Sequence, residues 1–482
     1  MDEGGQMAPA SHSFLSEGAP PRYPSWMAQL LTVPNDPRHL VVIVGGAVAG
    51  SEAAALCAER GILAVVLEQN DRPYGKIEDG LPRWHDKLRR KEYEHIAQNL
   101  QRPGVLFVPR TKLGDDLTLD TLTREWGANA VLLASGAWRD RPLFADAEAL
   151  LGRGLVNQNA LVYWYNHRHE DGYAGPRFEV QDDAIVVGGG LASIDVVKII
   201  NFELYKRAFA GRGIHVTTLE IEHDGLPSLL AKHGLSEATL GVRGVTLFYR
   251  REKTAMPLAS PPDNATPQQL EKNQQVRAKL MDKVIEKYLV KFVPNHAPLA
   301  PLVEGDKMVG VRFQRTRTVD GKLVSLPGET VDVRSPMVVS SVGSIPLPLP
   351  GLPMKGELID FEDWDTGRVR GFPHVFGLGN VLTGKGNIKD SRKNAQEISA
   401  QVVQSYLGLR GDAPLARALD HKHSEAREQA EAAVADAEAQ PLIAPERLAK
   451  IFASVRMQWE RTGYDGDYAR WIERVTPGGE ET

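Results

Sequence analysis

Two apolar runs each end in a glycine-rich turn that opens into a helix-forming stretch, and this repeated pattern constrains the fold more than any other feature of the chain. The first, from Val42 to Gly50, reads VIVGGAVAG; the second, from Ile185 to Ser193, reads IVVGGGLAS. A strand that turns sharply into a helix aims unpaired N–H groups and the positive end of the helix dipole at one spot. Residues without bulk let a pyrophosphate approach the backbone there. One such turn marks a dinucleotide-binding βαβ unit; two of them suit a flavin beside a nicotinamide. The predicted class is α/β, with two doubly wound dinucleotide-binding domains and a helical C-terminal extension. The FAD-binding domain is discontinuous, and the NADPH-binding domain is inserted into it.

In the first turn, Gly45, Gly46, Ala47 and Gly50 are the candidate phosphate contacts, and Glu68 follows the next apolar run, from Ile62 to Leu67. A carboxylate at that spacing suits the hydroxyls of a ribose. Ala47 stands where a second glycine is commoner, which tightens the approach. In the second turn the corresponding residues are Gly188, Gly190 and Ser193. The strand-like run from Val242 to Tyr249 leads into Arg250 and Arg251. Paired guanidiniums offer bidentate bonds to the phosphate that distinguishes NADPH from NADH, so NADPH is the expected coenzyme. Glu220 and Glu222, after a nearer strand-like run, keep an NADH alternative open.

Composition narrows the function. A net charge of −5 over 482 residues lacks the basic excess of a nucleic-acid binder, and 42% hydrophobic content suffices for two cores. No apolar stretch is long enough to span a membrane and the first residues do not read as a secretory signal, so the expected compartment is the cytoplasm. Cys57 is the single cysteine. It can form neither a dithiol nor a cysteine-held iron–sulfur cluster, so it reads as a packing residue and the electrons are expected to pass to an external acceptor.

The segment from Tyr249 to Pro257, YRREKTAMP, resembles the YRR…MP stretch of the NADPH-dependent glutamate synthase small subunit and its relatives, and Ala192-Ser193-Ile194-Asp195 resembles their helix start. Gly75 to Pro82, GKIEDGLP, is similar to the family's flavin loop, and Ala134-Ser135-Gly136-Ala137 to the crossing that leaves the flavin domain. Tyr163-Trp164-Tyr165-Asn166 and Ser340-Ser341-Val342-Gly343 look more like adrenodoxin-type ferredoxin–NADP reductase. Phe376 to Ile388, FGLGNVLTGKGNI, resembles the late flavin motif. It makes Gly379, Asn380 and Ile388 candidate flavin contacts, with uncharged Asn380 at the variable place. His85 lies near where adrenodoxin-type reductases place a histidine by the flavin.

The resemblance covers roughly residues 39 to 408. It implies an FAD-dependent oxidoreductase that takes hydride from NADPH and passes electrons to an external acceptor, a ferredoxin-like carrier foremost. Such chemistry needs alignment of two cofactors and no metal. Two alternatives stay open: an electron-input subunit of a larger complex, with the C-terminal helices docking, and a non-catalytic flavin-binding assembly or regulatory protein. The expected divisions are a tail to residue 38, flavin segments at 39–150 and 336–408, the NADPH domain at 155–335, and helices from 409 to 482. A helix expected from Gln268 to Lys291 places Lys279, Lys283, Lys287 and Lys291 in one row, a basic ridge suited to an acidic ferredoxin or flavodoxin.

Overall fold

The computed structural model describes residues 39–259, 265–382 and 413–479. Ile388 and the N-terminal tail lie outside the described residues.

A seven-stranded sheet grows around the first turn. Strand β1 (Leu40–Val44) is buried throughout and runs into helix α1 (Val48–Glu59), which returns the chain to β2 (Leu63–Leu67). Helix α2 (Asp86–Leu100) then leads to β3 (Val105–Val108), and β4 (Ala130–Leu133) pairs with β1 on its other side. These four strands are parallel, as continuous apolar runs covered on both faces should be. The order 4-1-2-3 reverses between β1 and β4, and a doubly wound sheet binds ligands at that switch point.

A second, five-stranded parallel sheet takes β5 (Leu155–Asn157), β6 (Ile185–Gly188), β7 (Thr246–Phe248), β8 (Lys291–Val293) and β12 (Val338–Ser341), in the order 5-12-6-7-8. Helix α3 (Gln158–His167) follows β5, and α4 (Leu191–Ala210) follows β6. An antiparallel meander, β9 (His296–Glu304), β10 (Lys307–Val319) and β11 (Lys322–Arg334), lies beside this sheet, with Phe313 stacked on Phe248 at 4.3 Å. The chain's outgoing and returning crossings pair with each other, Arg139 with Ile345 and Asp140 with Ser344. It then re-enters the first sheet through β13 (Phe361–Asp363), β14 (Arg368–Val369) and β15 (Phe372–Gly377), the last parallel to β4.

The C-terminal helices bury their apolar faces on the first sheet. Helix α7 (Ala413–Glu438) places Ala430, Ala433, Val434 and Ala437 in the same core as Ala53, Ala54 and Cys57 of α1. Small residues on both helices permit that close approach. Helix α8 (Pro445–Thr462) buries Ile451, Phe452 and Val455, and its Trp459 indole N–H donates to the Phe107 carbonyl at 2.9 Å. The apolar surface that would have made these helices a docking element is thus largely used internally. Burial holds the Cys57 thiol up at about 12, which fits a packing role.

Two expectations need correction. Helix α6 (Pro267–Tyr288) ends before Lys291, because Leu289 turns into the left-handed region and Lys291 begins β8. Lys279 and Lys283 are exposed, whereas Lys287 is half-buried over the Tyr288 ring and against Gly225, so the four lysines do not form one solvated row. The stretch expected to be a strand before Glu220 and Glu222 is helix α5 (Thr218–Asp224). Glu220 closes a capping box with Thr217, and Glu222 is buried against Lys198 Nζ at 2.8 Å and the Tyr288 hydroxyl at 3.0 Å. Neither stands at a strand end where a ribose would reach it.

Candidate active site

Both glycine turns meet the neighbouring strand so closely that side chains are excluded. Gly45 has φ +102°, and a Cβ there would lie 2.6 Å from the Ala134 carbonyl of the crossing after β4. A Cβ on Gly50 would sit 1.8 Å from the Gly45 carbonyl, so the first turn of α1 packs directly on the strand-to-helix turn. In the second unit a Cβ on Gly188 would meet the Ser341 carbonyl at 2.4 Å, while one on Gly190 would meet nothing within 4 Å. Gly188 is therefore a packing glycine, and Gly190 borders open space. Helices α1 and α4 also begin alike. Their N-caps, Ala47 and Gly190, supply no side-chain cap, and neither first turn carries an acid. Uncapped N–H groups free of a competing carboxylate suit a phosphate.

A cavity of ≈ 680 Å³ opens at the first turn, lined by Gly45, Ala47, Glu68, Gly75, Gly136, Gly379 and Asn380 among others. Gly46 lies behind this wall, its N–H donating to Glu68 Oε2 at 2.9 Å, while the Asn70 N–H donates to Oε1 at 2.9 Å. Burial raises the Glu68 carboxyl to about 7, against the lowering effect of those two donors. A carboxylate that lines the cavity, with two lone-pair positions on each oxygen, can also accept from hydroxyls. Helix α7 supplies a wall that the sequence did not suggest: Leu419, Glu425, Ala426 and Gln429 line the cavity, and Gln429 Oε1 accepts from the Gly379 N–H at 2.7 Å.

The second turn opens into a cavity of ≈ 780 Å³, lined by Gly188, Gly190, Ser193, Tyr249 and Arg250. Ser193 is buried, and its hydroxyl lies 2.9 Å from that of Ser341 and donates to the Ser341 carbonyl at 3.2 Å. A serine in place of a third glycine thereby fastens helix α4 to β12. Arg250 is exposed at the rim, its carbonyl held by the Thr316 hydroxyl at 2.8 Å. Arg251 is absent from this wall; its carbonyl accepts from the Asn295 N–H at 3.3 Å.

The two cavities share Lys76, Ile77, Asn380, Leu419 and Lys422. Lys76 is fixed at this junction by Asn159 Oδ1 at 3.1 Å and the Ser344 hydroxyl at 3.2 Å. Burial lowers its pKa. The short helical turn Lys76–Asp79 and the loop after it are tied to α3 by the Asn166 side-chain amide, which donates to the carbonyls of Glu78 at 3.0 Å and Leu81 at 3.1 Å. His85 is not part of either wall. It is buried beside Trp84, whose indole N–H donates to its Nε2 at 2.9 Å, so it sits behind the loop that lines the cavity.

No family model matches the chain. Among curated proteins it is 24% identical over 345 residues to the mitochondrial NADPH:adrenodoxin oxidoreductase of Arabidopsis thaliana, covering 66% of this chain and 70% of that protein. It is 28% identical over 178 residues to a putative glutamate synthase [NADPH] small chain of Cereibacter sphaeroides, covering 34% of this chain and 40% of that protein. The chain is thus similar in sequence both to an NADPH:adrenodoxin oxidoreductase and to a glutamate synthase [NADPH] small chain. Its fold is that of Mycobacterium tuberculosis FprA, solved in complex with NADPH: the TM-score is 0.57 at 18% identity, over 88% of this chain and 91% of that one. In this two-sheet fold the glycine turns of both sheets face the joined cavities. Among the described residues, no helix is long and apolar enough to cross a membrane.

Proposed function

We propose that this protein is an FAD-dependent oxidoreductase that takes reducing equivalents from NADPH and delivers them singly to an external carrier of the ferredoxin type. The observation that carries this reading is the junction at Lys76, Ile77 and Asn380, where a cavity built on one dinucleotide turn runs into a cavity built on another. A bound flavin and nicotinamide would supply hydride chemistry there. The residues of the chain do the rest. Glu68 accepts from ribose hydroxyls, the uncapped ends of α1 and α4 take the two pyrophosphates, and Arg250 meets the phosphate particular to NADPH. The loop held by Asn166 keeps Lys76 at the meeting point. The relatives named for NADPH, adrenodoxin and ferredoxin favour a carrier protein as acceptor, and with the lone buried cysteine we place the protein in the cytoplasm.

The discriminating assay supplies NADPH and either a ferredoxin, a flavodoxin or ferricyanide. We expect a carrier protein to be reduced, more slowly as salt rises from ~0.01 M to ~0.15 M and the screening length falls from ~30 Å to ~8 Å. Ferricyanide reduction should change little by comparison. Reversing the exposed Lys279 and Lys283 to glutamate tests whether α6 takes part in docking. Efficient reduction of ferricyanide with no turnover of either carrier would favour the electron-input subunit, which resembles the glutamate synthase relatives.

A further inference from the structure

We propose that Glu52, His95 and His423 form a zinc-binding site that pins helix α7 to α1 and α2. The three residues come one from each helix, and their donor atoms lie within 4.8 Å of one another. Glu52 Oε1 is 2.5 Å from His95 Nε2 and 2.9 Å from His423 Nδ1. Two imidazoles with one carboxylate match the nitrogen and oxygen donors zinc accepts, and they discriminate against magnesium and calcium, which take oxygen ligands.

The orientation of His423 is the decisive feature. Its Nε2 lies 2.6 Å from Oε2 of Glu92, a carboxylate only 1% exposed, so the ring keeps its N–H on that nitrogen. A histidine held in this way by a carboxylate turns the lone pair of its other nitrogen toward a metal, and the carboxylate raises its basicity. His423 Nδ1 is buried and faces Glu52 Oε1 at 2.9 Å, an ion-pair distance without good hydrogen-bond alignment. In the imidazolium form, which the two carboxylates favour, a proton stands between Nδ1 and Oε1, and a cation would take that proton's place. The Asn99 amide steadies Glu52 by donating to Oε1 at 3.2 Å, and Arg427, paired with Glu59, also reaches Glu52 Oε2 at 4.0 Å.

Donors ~2.0–2.2 Å from a tetrahedral zinc stand ~3.3–3.5 Å apart, so the present contacts need to open by less than ~1 Å. His95, with 42% of its side chain exposed, can make that adjustment and leaves the fourth position open to water. Glu52 and Glu92 together offset a divalent charge. Leu419 and Ala426, which line the first cavity, lie one turn to either side of His423. Zinc would therefore brace a wall of the flavin cavity. The proposal stands apart from the redox reading, because metal affinity is measured without turnover.

The test is isothermal titration of the full-length, chelator-treated protein with zinc chloride, with thermal melting before and after EDTA. We expect about one equivalent to bind, a rise in melting temperature that EDTA reverses, and no such rise with magnesium. His95→Gln changes a partly exposed side chain and should fold normally while losing at least tenfold in zinc affinity. Glu92→Gln should weaken binding ~10–100-fold by freeing the His423 ring. Absence of stoichiometric binding to the wild type, or unchanged affinity in a folded His95→Gln variant, would overturn the proposal.

Discussion

Gly50→Ala should leave the protein without bound FAD, as apoprotein or as aggregate. The added methyl falls 1.8 Å from the Gly45 carbonyl, a backbone atom that cannot rotate aside, and it also crowds Ile43. Overpacking a well-filled core costs ~1–3 kcal/mol where side chains can yield. Here the yielding group would be the dinucleotide turn, so a cost beyond that range is expected and falls directly on the cofactor site. Gly190→Ala provides the contrast. Its methyl would meet nothing within 4 Å at a φ of −87°, so the variant should fold and keep FAD while binding NADPH less well. Visible absorbance per unit protein reads the flavin content of both variants, the KM for NADPH reads the second effect of Gly190→Ala, and full flavin content in Gly50→Ala would contradict the geometry of the turn.

The double variant Arg250→Ala, Arg251→Ala should lose roughly two decades in kcat/KM with NADPH, since a hydrogen bond to a charged group contributes about 1.5–3 kcal/mol and a decade is about 1.4. Activity with NADH should hardly move, because NADH lacks the phosphate these guanidiniums would meet. The single variants should be unequal. Arg250 stands on the cavity wall and Arg251 does not, so Arg250→Ala should account for the larger share. Equal losses with both coenzymes would make the arginines structural. The buried ion pair of Glu222 and the capping role of Glu220 leave no carboxylate there to favour NADH.

The turns were legible because their chemistry is local. Gly45, Gly50 and Gly188 are read from spacing within a strand-turn-helix unit, and Glu68 from its place at the end of the next strand. What escaped the sequence depends on long-range packing. Helix α7 shows an ordinary alanine- and glutamate-rich pattern, and nothing in it tells that Gln429 would meet the Gly379 N–H or that Ala426 would line the first cavity. Periodicity carried the lysine row past Tyr288, although the left-handed turn at Leu289 ends the helix. The apolar run before Glu222 suits a strand as well as a short helix, and the Thr217 capping box decided the matter. Glu52, His95 and His423 come from three separate helices and form a cluster only once α7 folds back over α1.

If the two dinucleotide cavities work as one electron path, anaerobic mixing of the purified protein with NADPH will reveal it. The protein should emerge yellow, and one equivalent of NADPH should bleach it rapidly, with NADH acting far more slowly. A colourless protein, or a yellow one whose absorbance NADPH leaves unchanged, would mean that no such path exists.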